Sequence, residues 1–388
     1  MSQHSARLAN PSNLPTHDQH TSTAPTFGIG PSREHFRKSY RCIRPLASGA
    51  NGEAFLAIAH KYADDIVKAR EGFPNEQAYL DAIRSRIVVA KFAKADRGTE
   101  PELDNEINFF DNVLGAMKTG LPVPKLCGHR RKKSEQWLTL ELLEGGDLYT
   151  HVKNNKDSLS LGFMWHVGVE LAKALSFVHY GVIDPSTDDS STEAAKVGRP
   201  LVYHGDIHTG NILLTASSKG SYHEYPDIRL ADFGSAKQFV DGKGTRAEFQ
   251  NRQLSDYKSI GIIMEGLALI SRYGKICDGS KAAHCKSRCG KCPRADCEEC
   301  SGIARRSWHF DGLDPDRKLL ANEGRRFGNF RGKTAEHTSD EALGFLKDFI
   351  VLAREQRDKH YVPLPEETKR RLSQHPVSDE ELRALFKM

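Results

Sequence analysis

Asp206 and Asn211 stand five residues apart in Tyr203–Leu214, which reads Tyr-His-Gly-Asp-Ile-His-Thr-Gly-Asn-Ile-Leu-Leu. Gly205 and Gly210 punctuate the stretch, which reads as a loop, and the apolar Ile212–Leu214 reads as a short buried strand. A carboxylate and a carboxamide at this spacing suit phosphoryl transfer. The Asp can accept the proton of an incoming hydroxyl, and the Asn oxygen can hold a Mg²⁺ that bridges phosphates. An Asx-rich turn capping a strand would use the same residues, so the pair alone does not decide. Twenty-one residues beyond Asn211, an apolar stretch ends in Leu230-Ala231-Asp232-Phe233-Gly234, bringing a second carboxylate suited to a metal.

These two segments together resemble the catalytic loop and D-F-G segment of eukaryotic protein kinases. Upstream stretches extend the resemblance in kinase order. Leu46–Leu56 is similar to the kinase glycine-rich loop: small residues at 47, 49, 50 and 52 let a hairpin lie over phosphates. Gly49 and Gly52 remain there, while Ala47 replaces the first glycine and Ala54 the usual valine. Ile87–Phe92 is a β-branched run matching the V-A-I-K strand, and Lys91 takes the place of its lysine. Glu102–Leu114 has Leu103, Ile107, Phe110 and Leu114 at helical spacing, with Pro101 in the first turn. The resemblance makes Glu106 the partner of Lys91, with Glu102 as the fallback. Trp137–Leu148 is similar to the last small-lobe strand and hinge. There the backbone groups of Glu141 and Leu143 would meet adenine, Leu140 would be the gatekeeper, and Asp147 could reach the ribose.

The elements that must position these residues follow. The expected fold is α+β and two-lobed, protein-kinase-like, with a small antiparallel β-rich N-lobe and a mainly helical C-lobe. Residues 1–35 are poor in apolar side chains and read as a disordered tail. Residues 36–143 would form the N-lobe, with an insertion at about 60–86 in which Glu76–Ile83 is expected to be helical after Pro74. Residues 144–388 would form the C-lobe. Its core helix is expected over Leu161–His179, an acidic Ser/Thr-rich insertion over about 184–199, and a central helix from Asp256. Helical patterns at Glu341–Glu355 and Ser378–Phe386 would complete that lobe, Ser378-Asp379-Glu380-Glu381 resembling a helix start.

The Cys-rich stretch within 277–300 stands apart. Cys289, Cys292, Cys297 and Cys300 form two C-x2-C pairs, the usual way to bring thiolates onto one tetrahedral Zn²⁺. His284 and Cys285 are alternative ligands, a loop of reduced thiols is the plainer reading, and a structural or docking role is expected.

Composition adds limits. The 388 residues suffice for one catalytic unit of ~250–300 residues plus extensions. A net charge of +5 and a pI of about 8.6 do not by themselves argue for nucleic acid or membrane. No membrane span and no signal peptide is expected, and the clustered cysteines fit a reducing cytoplasmic or nuclear compartment.

The mechanism implied by the resemblance uses ATP and Mg²⁺. Lys91 orients the phosphates with Glu106 holding it, Asn211 and Asp232 bind the metal, and Asp206 orients and deprotonates a Ser/Thr hydroxyl of a protein substrate. Three departures keep rivals open. Gly205 replaces the Arg of H-R-D, His208 replaces the Lys that helps neutralise the γ-phosphate, and no A-P-E follows the D-F-G. The H-G-D-x-H-x-G-N string is also similar to small-molecule phosphotransferases of the aminoglycoside and choline kinase type. A non-catalytic pseudokinase scaffold is a further alternative. A nucleic-acid-binding role for the basic C-terminal part is not expected.

Overall fold

In the computed structural model, residues 31–48, 52–93, 100–114, 121–132, 135–155, 159–187, 201–216, 225–240, 245–273, 313–330 and 339–386 are described. An antiparallel sheet makes up the N-terminal region: β1 (Tyr40–Ser48), β2 (Glu53–Ala59), β3 (Ile87–Phe92), β4 (Leu126–Arg130) and β5 (Trp137–Glu141), in the order β1-β2-β3-β5-β4. Strand alternation divides its side chains between two faces. Phe55 and Ala57 of β2, with Ala90 and Phe92 of β3, pack with Trp137 against Phe36 of α1 (Pro31–Arg37). On the opposite face lie Leu56 and Ile58, with Val89 and Lys91 one and two steps along from Ile87.

That second face is covered by two groups of helices. Beside β5 it meets α4 (Glu100–Asn108), whose Leu103 and Ile107 join Leu138 and Leu140 in the main core. The regular helix expected to Leu114 gives way at Phe109–Leu114 to a π-helical turn. At the other edge it meets the insertion, which folds as α2 (His60–Lys68) and α3 (Glu76–Arg84). Asn75 caps α3, its Oδ1 accepting from Ala78 N at 2.8 Å, and Tyr79, Leu80 and Ile83 face the sheet.

The C-terminal region is helical. Its axis is α6 (Leu161–Tyr180), begun by Ser160 as N-cap and ended by Gly181 at φ +76°. This helix is apolar enough by composition to cross a bilayer, contrary to the sequence reading. However, 83% of its apolar window is buried inside the molecule, so it is a core helix. Around it lie α5 (Leu148–Asn155), α7 (Arg246–Tyr273), α8 (Pro315–Gly328), α9 (Ser339–Lys359) and α10 (Glu366–Leu372). Short strand pairs carry the loops: β6 (Val202–Tyr203) with β9 (Lys237–Gln238), and β7 (Ile212–Thr215) with β8 (Asp227–Leu230).

Three expectations need correction. Residues 31–35, expected within the disordered tail, belong to α1, which brings Phe36 onto the sheet. The central helix begins at Arg246, ten residues before Asp256. Thr245 and Glu248 form a capping box there: Glu248 N donates to Thr245 Oγ1 at 3.1 Å, and Thr245 N donates to Glu248 Oε2 at 2.9 Å. The last helix, α11 (Asp379–Phe386), does not complete the helical region. Its Leu382, with Val377 before it, is buried against Leu56, Ile87 and α3 of the sheet region. The Cys-rich stretch, the hairpin tip with Gly49, and residues 188–199 of the acidic insertion lie outside the described residues.

Candidate active site

Lys91 stands on the sheet face that α4 covers. Its Nζ donates to Glu106 Oε2 at 2.6 Å and to Asp232 Oδ1 at 3.1 Å. Glu102, the fallback partner, is not the residue that Lys91 meets. Burial works to lower the Lys91 pKa, but the two carboxylates outweigh it and hold the ammonium above its ordinary value. Burial raises Asp232 in the same way, and the adjacent Lys91 charge and hydrogen bond reverse it, so this carboxyl is held below its usual range. Glu106 is almost wholly buried, and burial pushes its carboxyl up against the pull of Lys91.

Asp232 is the only non-glycine among the described residues with positive φ, at 64°. This left-handed turn is held from the next residue on. Phe233 is fully buried and stacks on Phe109 at 3.8 Å between ring centroids, with Phe110 and His204 against it. Asn105 Nδ2 donates to Gly234 O at 3.1 Å, tying α4 to the same turn. The helix that carries Glu106 therefore also grips the segment that carries Asp232.

Asn211 closes a 3₁₀ turn just before β7. Ala231 N donates to Asn211 O at 2.8 Å, and Ile212 pairs with Leu230, so Asn211 and Asp232 flank one two-stranded ribbon. Asn211 Nδ2 donates to the Asp206 carbonyl at 2.9 Å. The Asn211 Oδ1 is the atom that the expected metal role would use. His208 Nδ1 accepts from Gly210 N at 3.1 Å, which makes Nε2 the protonated nitrogen of the neutral ring. That Nε2 lies 3.7 Å from Asp206 Oδ2, so the ring turns a donor toward the candidate base.

A second set, missed in the sequence, holds the Asp206 loop from below. Asp256 of α7 is buried and accepts from His204 N at 2.7 Å, Gly205 N at 2.9 Å and His179 Nε2 at 2.9 Å. His204 in turn accepts from Asp206 N through Nδ1 at 3.2 Å, so its Nε2 carries the proton that binds the Ala231 carbonyl at 3.1 Å. Burial lowers the His204 pKa, which keeps the ring neutral as both bonds need. Gly205 sits at φ +82°, and a Cβ there would meet the Ser235 carbonyl at 3.0 Å. An Arg at this position would be strained against the segment following Asp232.

The nucleotide-side residues are placed as follows. Gly52 follows the hairpin tip, and a Cβ on it would meet the Phe92 carbonyl at 2.7 Å, so close strand packing by itself requires glycine there. Gly145 is equally confined by Leu214 O, at 2.8 Å from a Cβ. Hydrogen bonds from Gly145 N to Leu214 O (3.0 Å) and Leu214 N to Gly146 O (2.8 Å) dock the connector after β5 onto β7. Leu143 is buried, and Glu141 N is already bonded to Lys125 O at 2.9 Å. Asp147 serves as the cap of α5, its carboxylate accepting from Thr150 N at 2.8 Å and Thr150 Oγ1 at 2.9 Å. Among the described residues no group of His, Cys, Asp and Glu forms a separate metal cluster, and Cys289, Cys292, Cys297 and Cys300 lie outside them.

An antiparallel sheet region joined to a helical region, with a lysine–glutamate–aspartate cluster at their junction, is compatible with a kinase-like fold. Two curated proteins are similar in sequence, both serine/threonine-protein kinase CLA4 of Candida albicans. Each is 21% identical over 208 residues, which is 54% of this chain and 16% of the relative. The chain thus spans under a fifth of the length of the curated relatives it matches. No family model matches it. This weak identity hints at a kinase-like relationship and suggests a phosphotransferase.

Proposed function

We propose that the protein is an ATP- and Mg²⁺-dependent kinase that transfers the γ-phosphate to Ser/Thr hydroxyls. The observation that carries this reading is Lys91 Nζ held between Glu106 and Asp232 at 2.6 and 3.1 Å, with Asn211 fixed beside Asp232 through Ala231. A buried glutamate aims the ammonium, leaving its charge to face the α- and β-phosphates. Asn211 and Asp232 would hold a magnesium ion, which when bound neutralises phosphate charge. Asp206 would orient the acceptor hydroxyl and take its proton, and the adjacent His208 would help position Asp206 through its Nε2 side. At the connector, Glu141 has its N–H engaged, so an incoming base would meet its carbonyl, while Leu143 would offer its backbone amide.

One observation favours a second reading, a small-molecule phosphotransferase. The capping box at Thr245 starts α7 so early that only residues 235–244 separate Gly234 from it, a short span for a platform that binds a peptide. The test offers labelled ATP and Mg²⁺ with a generic protein acceptor and with a panel of hydroxylated metabolites, using the wild type and Asp206→Asn. Label on protein, lost in the variant, supports the first reading. Label only on a metabolite supports the second, and no label on any acceptor removes both.

A further inference from the structure

Two parts of the chain cross between the sheet region and the helical region side by side. The first is the connector after β5, residues 142–147. The second is the segment between α10 and α11. Leu364 and Leu372 are buried in the main core, and Thr368 Oγ1 donates to Asn155 Oδ1 of α5 at 3.0 Å. Val377 and Leu382 are buried in the separate core under the sheet edge. Four residues separate the anchors Leu372 and Val377, so over these five steps a fully extended chain allows at most ~18 Å between them.

The far end is fastened at several points. Arg44 donates to Pro376 O and pairs with Glu381 at 3.1 Å, Arg41 donates to Leu385 O at 3.2 Å, and Arg383 pairs with Glu76 at 2.8 Å. Arg84 of α3 pairs with Asp379. His375 Nε2 lies 4.0 Å from Glu144 Oε1, so the two crossings run next to each other. The sheet face that receives Val377 and Leu382 is the face that carries Lys91, because Ile87, Val89 and Lys91 alternate to the same side of β3.

We infer that residues 373–386 are a strap that acts with the 142–147 connector to set the width of the cleft in front of Lys91. A single connector lets the two regions swing and twist. Two adjacent tethers leave one axis of rotation and suppress the twist. The strap is made of this chain itself, so the cleft would be held without an activating partner or modification. Its effect on nucleotide rests on the function proposed above, whereas its mechanical role does not.

The test must separate a strap from a simple cover for the sheet edge. Inserting about ten Gly/Ser residues between Gln374 and His375 leaves both anchors intact and adds only slack. Leu382→Asp detaches α11 and serves as the second variant. Hydrogen exchange of full-length protein is read at residues 142–147 and 87–92, together with the melting temperature and the ATP dependence of turnover. A strap predicts that the insertion speeds exchange several-fold in both segments and raises the KM for ATP several-fold, with melting close to wild type. Unchanged exchange in the insertion variant, with only a lower melting temperature in Leu382→Asp, would overturn it. A wild type with no ATP turnover would remove the functional reading and leave the exchange comparison to decide the strap.

Discussion

Lys91 is the residue on which the site turns, and its neighbours show why it cannot be exchanged for a neutral side chain. Lys91→Met would strip Glu106 of its counter-charge while leaving the carboxyl buried. We expect a loss of roughly 2–4 kcal/mol in unfolding free energy, read from a denaturant melt, alongside loss of turnover. The contact was legible through the resemblance, which chose Glu106 over Glu102, while strand alternation put Lys91 off the Phe92 face. Asp256, His179 and His204 were not legible as partners. His204 and His179 meet Asp256 across 52 and 77 residues with no local pattern to announce them. Asp147 shows the opposite limit, because an acid two residues beyond Gly145 suits a ribose or a helix cap equally well, and here it caps α5. Buried histidines also set a pH dependence. Burial lowers His151 to about 4, and lowers His166 and His204 as well, against an unfolded value near 6.5. Between those values the unfolded chain binds more protons, so stability falls as pH drops from about 6.5 towards 4, by up to ~3 kcal/mol from His151 alone. Melting temperatures at pH 7.5 and pH 5 check the sign, and a protein more stable at pH 5 would refute it.

Among the elements, the loop that carries Asp206 is held by α7 as well as by its own internal hydrogen bonds. Asp256→Asn keeps the shape but cannot accept all three hydrogen bonds with full charge. A loss of about 2–4 kcal/mol is expected, together with a fall in turnover larger than any change in nucleotide affinity, measured by melts and steady-state kinetics. Gly205→Arg restores the residue usual in the resembling family, yet should weaken this protein by about 1–3 kcal/mol and lower turnover, because φ +82° and the nearby Ser235 carbonyl leave no place for a side chain. A gain of activity in that variant would contradict the packing described. Some elements could be read from periodicity: β3, α6 and α9 lie close to where apolar spacing put them. The start of α7 could also have been found, because Thr245-Arg246-Ala247-Glu248 is a capping-box pattern, but the resemblance drew the boundary to Asp256 instead. The π-helical turn after Asn108 had no sequence signal, being shaped by the stack of Phe109 on Phe233.

For the whole molecule, an amphipathic helix shows that it must bury a face but not which neighbour covers it. That is why α11, correctly read as a helix, was assigned to the wrong half of the chain. Its apolar stripe needed a partner, and the insertion helix α3 with the outer sheet edge provides one. The sheet face that carries Lys91 therefore packs against α4 beside β5 and against α3 with α11 at its other edge. We propose that this arrangement grips nucleotide phosphates through Lys91 and a metal held by Asp232. The most direct test is titration of the full chain with ATP, with and without Mg²⁺, for the wild type, Lys91→Met and Asp232→Asn. We predict saturable binding by the wild type that Mg²⁺ strengthens, weakened in Lys91→Met and made insensitive to Mg²⁺ in Asp232→Asn. Equal, Mg²⁺-independent binding in all three, or none in the wild type, would contradict the account.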